Sequence, residues 1–224
     1  MLTSNIKFKN FNIKKIKKIK NFKKEMWFKK IKLLESLKTN YKYSYSKNQI
    51  RRINKNKNFR LIGMGGSTLG AETIYQFLNH KIKKKFIFIN NLNPKIKDEE
   101  KKIKATNIII SKSGNTLETI ANSNLLINGS KNIFITENKK SYLRNLANTL
   151  KAEIIEHKNY IGGRYSVLSE VGMLPAEIMG LNERKFKRFN YLINNNIFLN
   201  ELIKNVSAIL KFVKEKKFNS IILN

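Results

Sequence analysis

Short apolar runs alternate with helical stretches through the middle of this chain. Phe59–Ile62, Phe86–Ile89, Asn107–Ile110, Ile133–Thr136 and Glu153–Ile155 have the length and the Ile/Phe richness of buried strands. Between them, Leu69–Leu78, Asp98–Lys104, Thr116–Ile127 and Ser141–Leu150 carry a helical period or composition. Strand-helix alternation of this kind predicts an α/β fold, with a parallel sheet flanked by helices on both faces. Ligands of such sheets sit beyond the carboxyl ends of the strands, so the turns that follow the strands are where chemistry is expected.

The two flanks read differently. Residues 1–58 form a helical N-terminal extension, in which Trp27, Ile31 and Leu34 make an apolar stripe at spacings of four and three. The Lys/Asn-rich stretch Lys47–Asn58 reads as a solvated connection to the first strand. After Gly162 the pattern is helical again, over Leu168–Met179, Glu183–Leu192 and Phe198–Lys216. The final segment, Phe218–Asn224, resembles one more buried strand with nothing after it. Three parts are therefore expected: 1–58 as the extension, 59–180 as the α/β domain, and 181–224 as linking helices plus the first strand of a truncated second domain.

Composition changes this picture little. The net charge of +31 comes from 46 basic residues, of which only seven are Arg. Lys travels with Asn and Ile, in Lys14–Lys24, Asn54–Asn58 and Lys81–Lys85 alike, and all three residues have AT-rich codons, so coding bias accounts for the excess. Base readout leans on Arg, and single-strand binding on interleaved aromatics. A nucleic-acid-binding protein is thus supported by the charge alone. Physically, the positive field still attracts phosphorylated metabolites. No apolar run approaches the roughly 18 residues that span a bilayer, and the absence of cysteine fits a reducing interior. Residues 7–24 are basic but lack the Arg/Ser bias of a transit peptide. The expectation is a cytoplasmic protein.

Three turns carry candidate chemistry. Gly63-Met64-Gly65-Gly66-Ser67-Thr68-Leu69-Gly70 joins a strand to a helix, and its glycines allow positive φ and close approach of a ligand to backbone N–H groups. The next helix N-terminus adds its own donors. A tight turn without a ligand has the same appearance, while the spacing fits neither a dinucleotide fingerprint nor a Walker motif. Ser111-Lys112-Ser113-Gly114-Asn115-Thr116-Leu117-Glu118-Thr119 again follows a strand and opens a helix. Its hydroxyls suit a terminal phosphate, and they equally suit a helix cap by Asn115 or Thr116 with Glu118 in the first turn. Two such turns in one parallel sheet would converge on one edge. In Gly162-Gly163-Arg164-Tyr165-Ser166-Val167-Leu168-Ser169, an Arg behind two glycines could set a fixed charge beside a bound sugar.

The first two turns resemble the paired phosphate-cradling turns of sugar isomerase (SIS) domains. Gly162–Ser166, continued by Val167–Pro175, is similar to the signature stretch of the glucose-6-phosphate isomerases within that group. The resemblance runs closely over residues 59–180 and makes the α/β domain an SIS-type domain. It implies that Gly66 and Ser67 contact the phosphosugar, with Gly163 beside them. Ser111, Lys112 (mainly through its backbone N–H), Ser113 and Thr116 would grip the phosphate, and Arg164 would stabilise an enediolate. Many relatives carry Thr or Ser where Asn115 stands.

By the same resemblance the activity is interconversion of glucose 6-phosphate and fructose 6-phosphate by a homodimer, with no cofactor and no metal. The family's proton-transfer Glu, ring-opening His and late Lys fall downstream of Asn224, so the chain is expected to be an N-terminal part that is inactive alone. His80 and His157 are expected to be surface or loop histidines, and Glu118 and Glu170 cap and helix residues. A module that only senses a phosphosugar is the rival reading, and it has no need of Arg164.

Overall fold

Five parallel strands form one sheet: β1 (Asn58–Gly63), β2 (Lys85–Ile89), β3 (Thr106–Ile110), β4 (Asn132–Thr136) and β5 (Glu153–Glu156), in the order β2-β1-β3-β4-β5. The computed structural model describes residues 32–92, 103–127, 130–188, 190–193 and 195–215. The stripe at Trp27 and Ile31, residues 98–102 of the expected helix Asp98–Lys104, and the terminal segment Phe218–Asn224 lie outside the described residues; Ile103 and Lys104 are not helical. The chain divides into two compact units, Glu35–Lys187 and Met1–Leu34 with Arg188–Asn224.

Both faces of the sheet are buried, which explains why its strands read as near-continuous apolar runs. Phe59 and Leu61 of β1, Ile108 and Ile110 of β3, and Ile133 and Ile135 of β4 share one face. They pack with α1 (Lys47–Ile53), α2 (Leu69–Leu78) and α5 (Glu170–Ile178), the last buried along its whole length. Ile62, Ile109 and Phe134 point the other way, into a second core with α3 (Leu117–Leu126) and α4 (Tyr142–Thr149). Alternate positions of each strand thus feed opposite cores. On that second face Arg60 is also buried, donating to Asn107 Oδ1 (3.2 Å) and to the Ile103 carbonyl.

Helices lie on both sides because β1 and β3 send their crossovers in opposite directions, β1 to β2 and β3 to β4. The neighbouring carboxyl ends of β1 and β3 are therefore the switch point of the sheet, where the departing chains leave a crevice.

Two expected elements differ. Lys47–Ile53 is a capped helix, not a solvated connection. The Ser46 hydroxyl accepts from Gln49 N (3.2 Å), Gln49 Oε1 accepts from Ser46 N (2.7 Å), and Ile50 and Ile53 are buried. Glu183–Leu192 is not one helix but two short ones, α6 (Glu183–Phe186) and α7 (Asn190–Ile193). The break falls where Lys187 is buried, its ammonium 4.7 Å and 4.6 Å from the ring centroids of Tyr41 and Tyr43. Both α7 and the α8 that follows it (Asn196–Lys214) belong to the other unit, the first N–H groups of α8 being capped by Asn195 Oδ1 at 2.9 and 3.0 Å.

The Lys187 cluster makes stability depend on alkaline pH. Burial pulls the Lys187 ammonium down to about 8, outweighing the nearby Glu183 and Glu170 carboxylates, while Lys158 adds to the depression. Burial foremost, and then the neighbouring carboxylates, push the Tyr41, Tyr43 and Tyr45 hydroxyls up. Between about pH 8 and 10 the unfolded chain holds a Lys187 proton that the fold has lost, so stability rises with pH. Above about 10 the unfolded tyrosines ionise first and stability falls. Thermal unfolding of wild type against Lys187→Met checks this. The rise should vanish in the variant while the alkaline fall persists, and superimposable profiles would refute it.

Candidate functional site

The first turn leaves β1 at Gly63, which pairs with Ile110, the last residue of β3. Both glycine-bearing turns therefore start side by side at the switch point. Gly65 has φ +55°, and residues Gly65–Ser67 form a single 3-10 turn. The Ser67 hydroxyl makes no hydrogen bond among the described residues. Gly66 is a different kind of glycine. A Cβ there would lie 2.2 Å from the carbonyl oxygen of Gly163, so its bare backbone is what lets the third turn dock on the first.

The second turn gathers its hydroxyls. Ser111 Oγ and Thr116 Oγ1 are 2.9 Å apart, Ser113 Oγ is 3.5 Å from Thr116 Oγ1, and Gly114 N donates to Ser111 Oγ at 3.1 Å. Thr116 is the N-cap residue of α3, but its side chain makes no cap hydrogen bond, so its hydroxyl faces the other two. Glu118 stands in the first turn of that helix. Asn115 does not cap its own helix; its Oδ1 accepts from Tyr142 N (2.9 Å) at the start of α4. Gly114, at φ +69°, sits where a Cβ would meet Ser141 Oγ at 2.2 Å.

Lys112 turns its charge away from these hydroxyls. Its ammonium donates to the Asn159 carbonyl (2.7 Å) and lies 3.4 Å from Glu137. Burial would raise the Glu137 carboxyl, but the hydrogen bonds and charge of Lys139 and Lys112 win and hold it below its ordinary value. Only the backbone of Lys112 is left beside the hydroxyl cluster, so the ammonium instead ties the second turn to the loop leading into the third.

That loop begins after β5. His157 lies in this loop, as expected, but is buried rather than on the surface. Its Nδ1 is 3.1 Å from the Lys158 carbonyl, and burial chiefly pulls its ring below the ordinary value. His80 is exposed. Gly163–Tyr165 form a 3-10 turn, and the exposed Arg164 guanidinium has no partner among the described residues. Glu170, at the start of α5, is fully buried and accepts from Tyr41 OH (3.1 Å to each oxygen), Ser44 N (3.0 Å) and Ser44 Oγ (3.2 Å). Among the described residues no three His, Asp or Glu side chains come together as metal ligands do.

The three turns thus meet at one edge of the sheet: the first two start side by side, and the third docks on the first through Gly163 and Gly66. Residues 24–219 match the model of the phosphoglucose isomerase family. The chain belongs to that family. Curated relatives named glucose-6-phosphate isomerase include that of Borreliella burgdorferi (strain ZS7), 36% identical over 65% of this chain and 33% of the relative. That of Clostridium tetani is 30% identical over 81% of this chain and 49% of the relative. The chain therefore spans between a third and a half of the length of these phosphoglucose isomerase relatives. Among solved structures, a hypothetical protein of Thermus thermophilus superposes with a TM-score of 0.65 at 20% identity, covering 89% of this chain and 53% of the other. Tagatose-6-phosphate ketose/aldose isomerase from Escherichia coli superposes at 0.53 and 14% identity, covering 82% and 53%. These two establish the SIS-type fold.

Sequence reasoning did not single out Ser166, Gly70 or Gly172. Ser166 Oγ lies 2.7 Å from Gly163 O and 3.2 Å from Gly66 O. A Cβ on Gly70 would meet Val167 Cγ2 at 2.7 Å, and one on Gly172 would meet Val167 O at 2.1 Å. The only signal available was the pairing of small residues in the first and third turns.

Proposed function

We propose that the chain is the phosphate-binding part of an aldose-ketose isomerase that interconverts glucose 6-phosphate and fructose 6-phosphate. The observation that carries this reading is the hydroxyl cluster of Ser111, Ser113 and Thr116 at the switch point, with the Arg164 turn docked against Gly66. In it, Gly66, Ser67 and Gly163 meet the sugar while Ser111, Ser113, Thr116 and the Lys112 backbone N–H hold the phosphate.

The chemistry is ring opening, removal of the C2 proton by a carboxylate, and return of a proton at C1 through a cis-enediolate. Arg164 stabilises the enediolate charge, because its planar guanidinium offers a rigid fork of charged N–H donors. The carboxylates most enclosed here have other work. Glu170 holds Tyr41 and Ser44, Glu177 holds Tyr45 (2.8 Å) and Lys47 (2.6 Å), and Glu137 is paired with two lysines. The proposal therefore assigns proton transfer to the remaining length of the family fold, in a cytoplasmic homodimer.

Thermal unfolding tests the ligand class. Glucose 6-phosphate and fructose 6-phosphate should raise the unfolding temperature of this chain, and glucose should not; equal shifts from all three would sink the reading. Ser113→Ala and Thr116→Val should each weaken hexose-phosphate binding by about 1.5–3 kcal/mol, the range for a hydrogen bond to a charged group.

A further inference from the structure

The backbone of the Arg164 turn is gripped from several directions, while the Arg164 side chain has no partner among the described residues. Tyr165 N donates to Gly162 O (2.9 Å) and Ser166 N to Gly163 O (3.3 Å), closing the turn on itself. Val167 sits against the bare backbones of Gly70 in α2 and Gly172 in α5. Ser169 Oγ donates to Ser166 O at 2.7 Å, fixing the same stretch from the start of α5. Ser166 itself is completely buried, and its one hydroxyl proton is shared between Gly163 O and, across the interface of the two turns, Gly66 O. That is the hydrogen bond joining the Arg164 turn to the first anion turn, at the point where a missing Cβ lets the two backbones approach. It fixes their separation, and a fixed separation is what a fixed charge needs to act on one atom of a ligand.

We propose that Ser166 is a positioning residue for Arg164: its hydroxyl, bridging the Gly66 and Gly163 carbonyls, sets where the guanidinium stands relative to a sugar phosphate seated on the first two turns. This rests on the reading of the site given above. Ser166 is too buried to touch the ligand, so its loss removes what Arg164 adds and spares what the hydroxyls of the second turn supply.

The test uses the 224-residue chain and calorimetric Kd values for two probes. Glucose 6-phosphate reports phosphate grip. Arabinonate 5-phosphate carries a carboxylate where the enediolate oxygens would form, and so reports Arg164 as well. Wild type should prefer the aldonate. Ser166→Ala should lower that preference by about tenfold or more and leave the glucose 6-phosphate Kd within about twofold. Ser166→Cys, which keeps a side chain there but with a larger and weaker donor, should move in the same direction, so a poorly folded alanine variant does not end the test. In an Arg164→Ala background the Ser166 substitution should change nothing further. A preference intact in both Ser166 variants, or an equal loss without Arg164, overturns the proposal. A wild type that binds glucose 6-phosphate without preferring the aldonate overturns it too. Failure to bind either probe would instead overturn the site reading beneath it.

Discussion

Gly66→Ala should sharply weaken hexose-phosphate-dependent stabilisation of this chain, because it displaces the first turn itself, on which the sugar is proposed to sit. The reason is spatial rather than conformational, since Gly66 is not among the glycines with positive φ. Its added methyl would stand 2.2 Å from Gly163 O, 2.5 Å from Gly163 C and 3.1 Å from Arg164 N. These are backbone atoms, which cannot rotate aside as a side chain would. The first and third turns must separate, and Ser67 and Arg164 move apart with them. Overpacking of this kind costs typically about 1–3 kcal/mol of fold stability, readable as a lower urea midpoint with an unchanged slope. Gly163→Ala is the matched control. A Cβ there meets nothing within 4 Å, and Gly163 has no positive φ. That variant should fold like wild type, so any binding it loses reports contact with the ligand. If Gly66→Ala binds glucose 6-phosphate as wild type does, the docking of the two turns is not what builds the site.

The sheet was legible because its strands are buried on both faces. Runs such as Ile108-Ile109-Ile110 admit few alternatives between two short turns, and the observed ends of all five strands fall within one residue of those expected. Leu69–Leu78 likewise emerges with the expected ends. What misled was the Lys/Asn background. It hid α1, whose evidence was a capping pair, Ser46 and Gln49, and two isoleucines three apart. Nor did the expected helix Glu183–Leu192 show that Lys187 within it has its ammonium drawn between Tyr41 and Tyr43, more than 140 positions earlier. Long-range polar burial of that kind leaves no local pattern.

The same limit applied at the site. The hydroxyls of the second turn could be read as a group, because they lie within six positions of one another. The contact of Gly66 with Gly163 could not, since a contact made by an absent side chain has no local sequence signature. Asn115 shows the intermediate case: its capping character was visible, but its partner is the helix after next in sequence, at Tyr142, rather than the one it precedes.

Arg164→Ala should leave glucose 6-phosphate binding near wild type and cut the preference for arabinonate 5-phosphate by roughly 10²–10³, the loss expected for one donor aimed at a developing oxyanion. In an isomerase built on this chain the same substitution should lower kcat by a similar factor and change KM little, because uniform binding of the phosphate is untouched. A chain of net charge +31 invites a simpler explanation, namely that any extra negative charge on a ligand is rewarded by the general field. Two measurements separate field from geometry. Charges more than about 8 Å apart are largely screened at physiological ionic strength, so a preference made by scattered lysines should collapse between low and physiological salt, while one made by Arg164 should largely remain. Arg164→Lys keeps the net charge but replaces a planar fork by a point charge on a flexible stem, and it should recover only a small part of the preference. Full recovery in Arg164→Lys would mean that charge alone suffices at this position, and the docked turn would then have no part in aiming it.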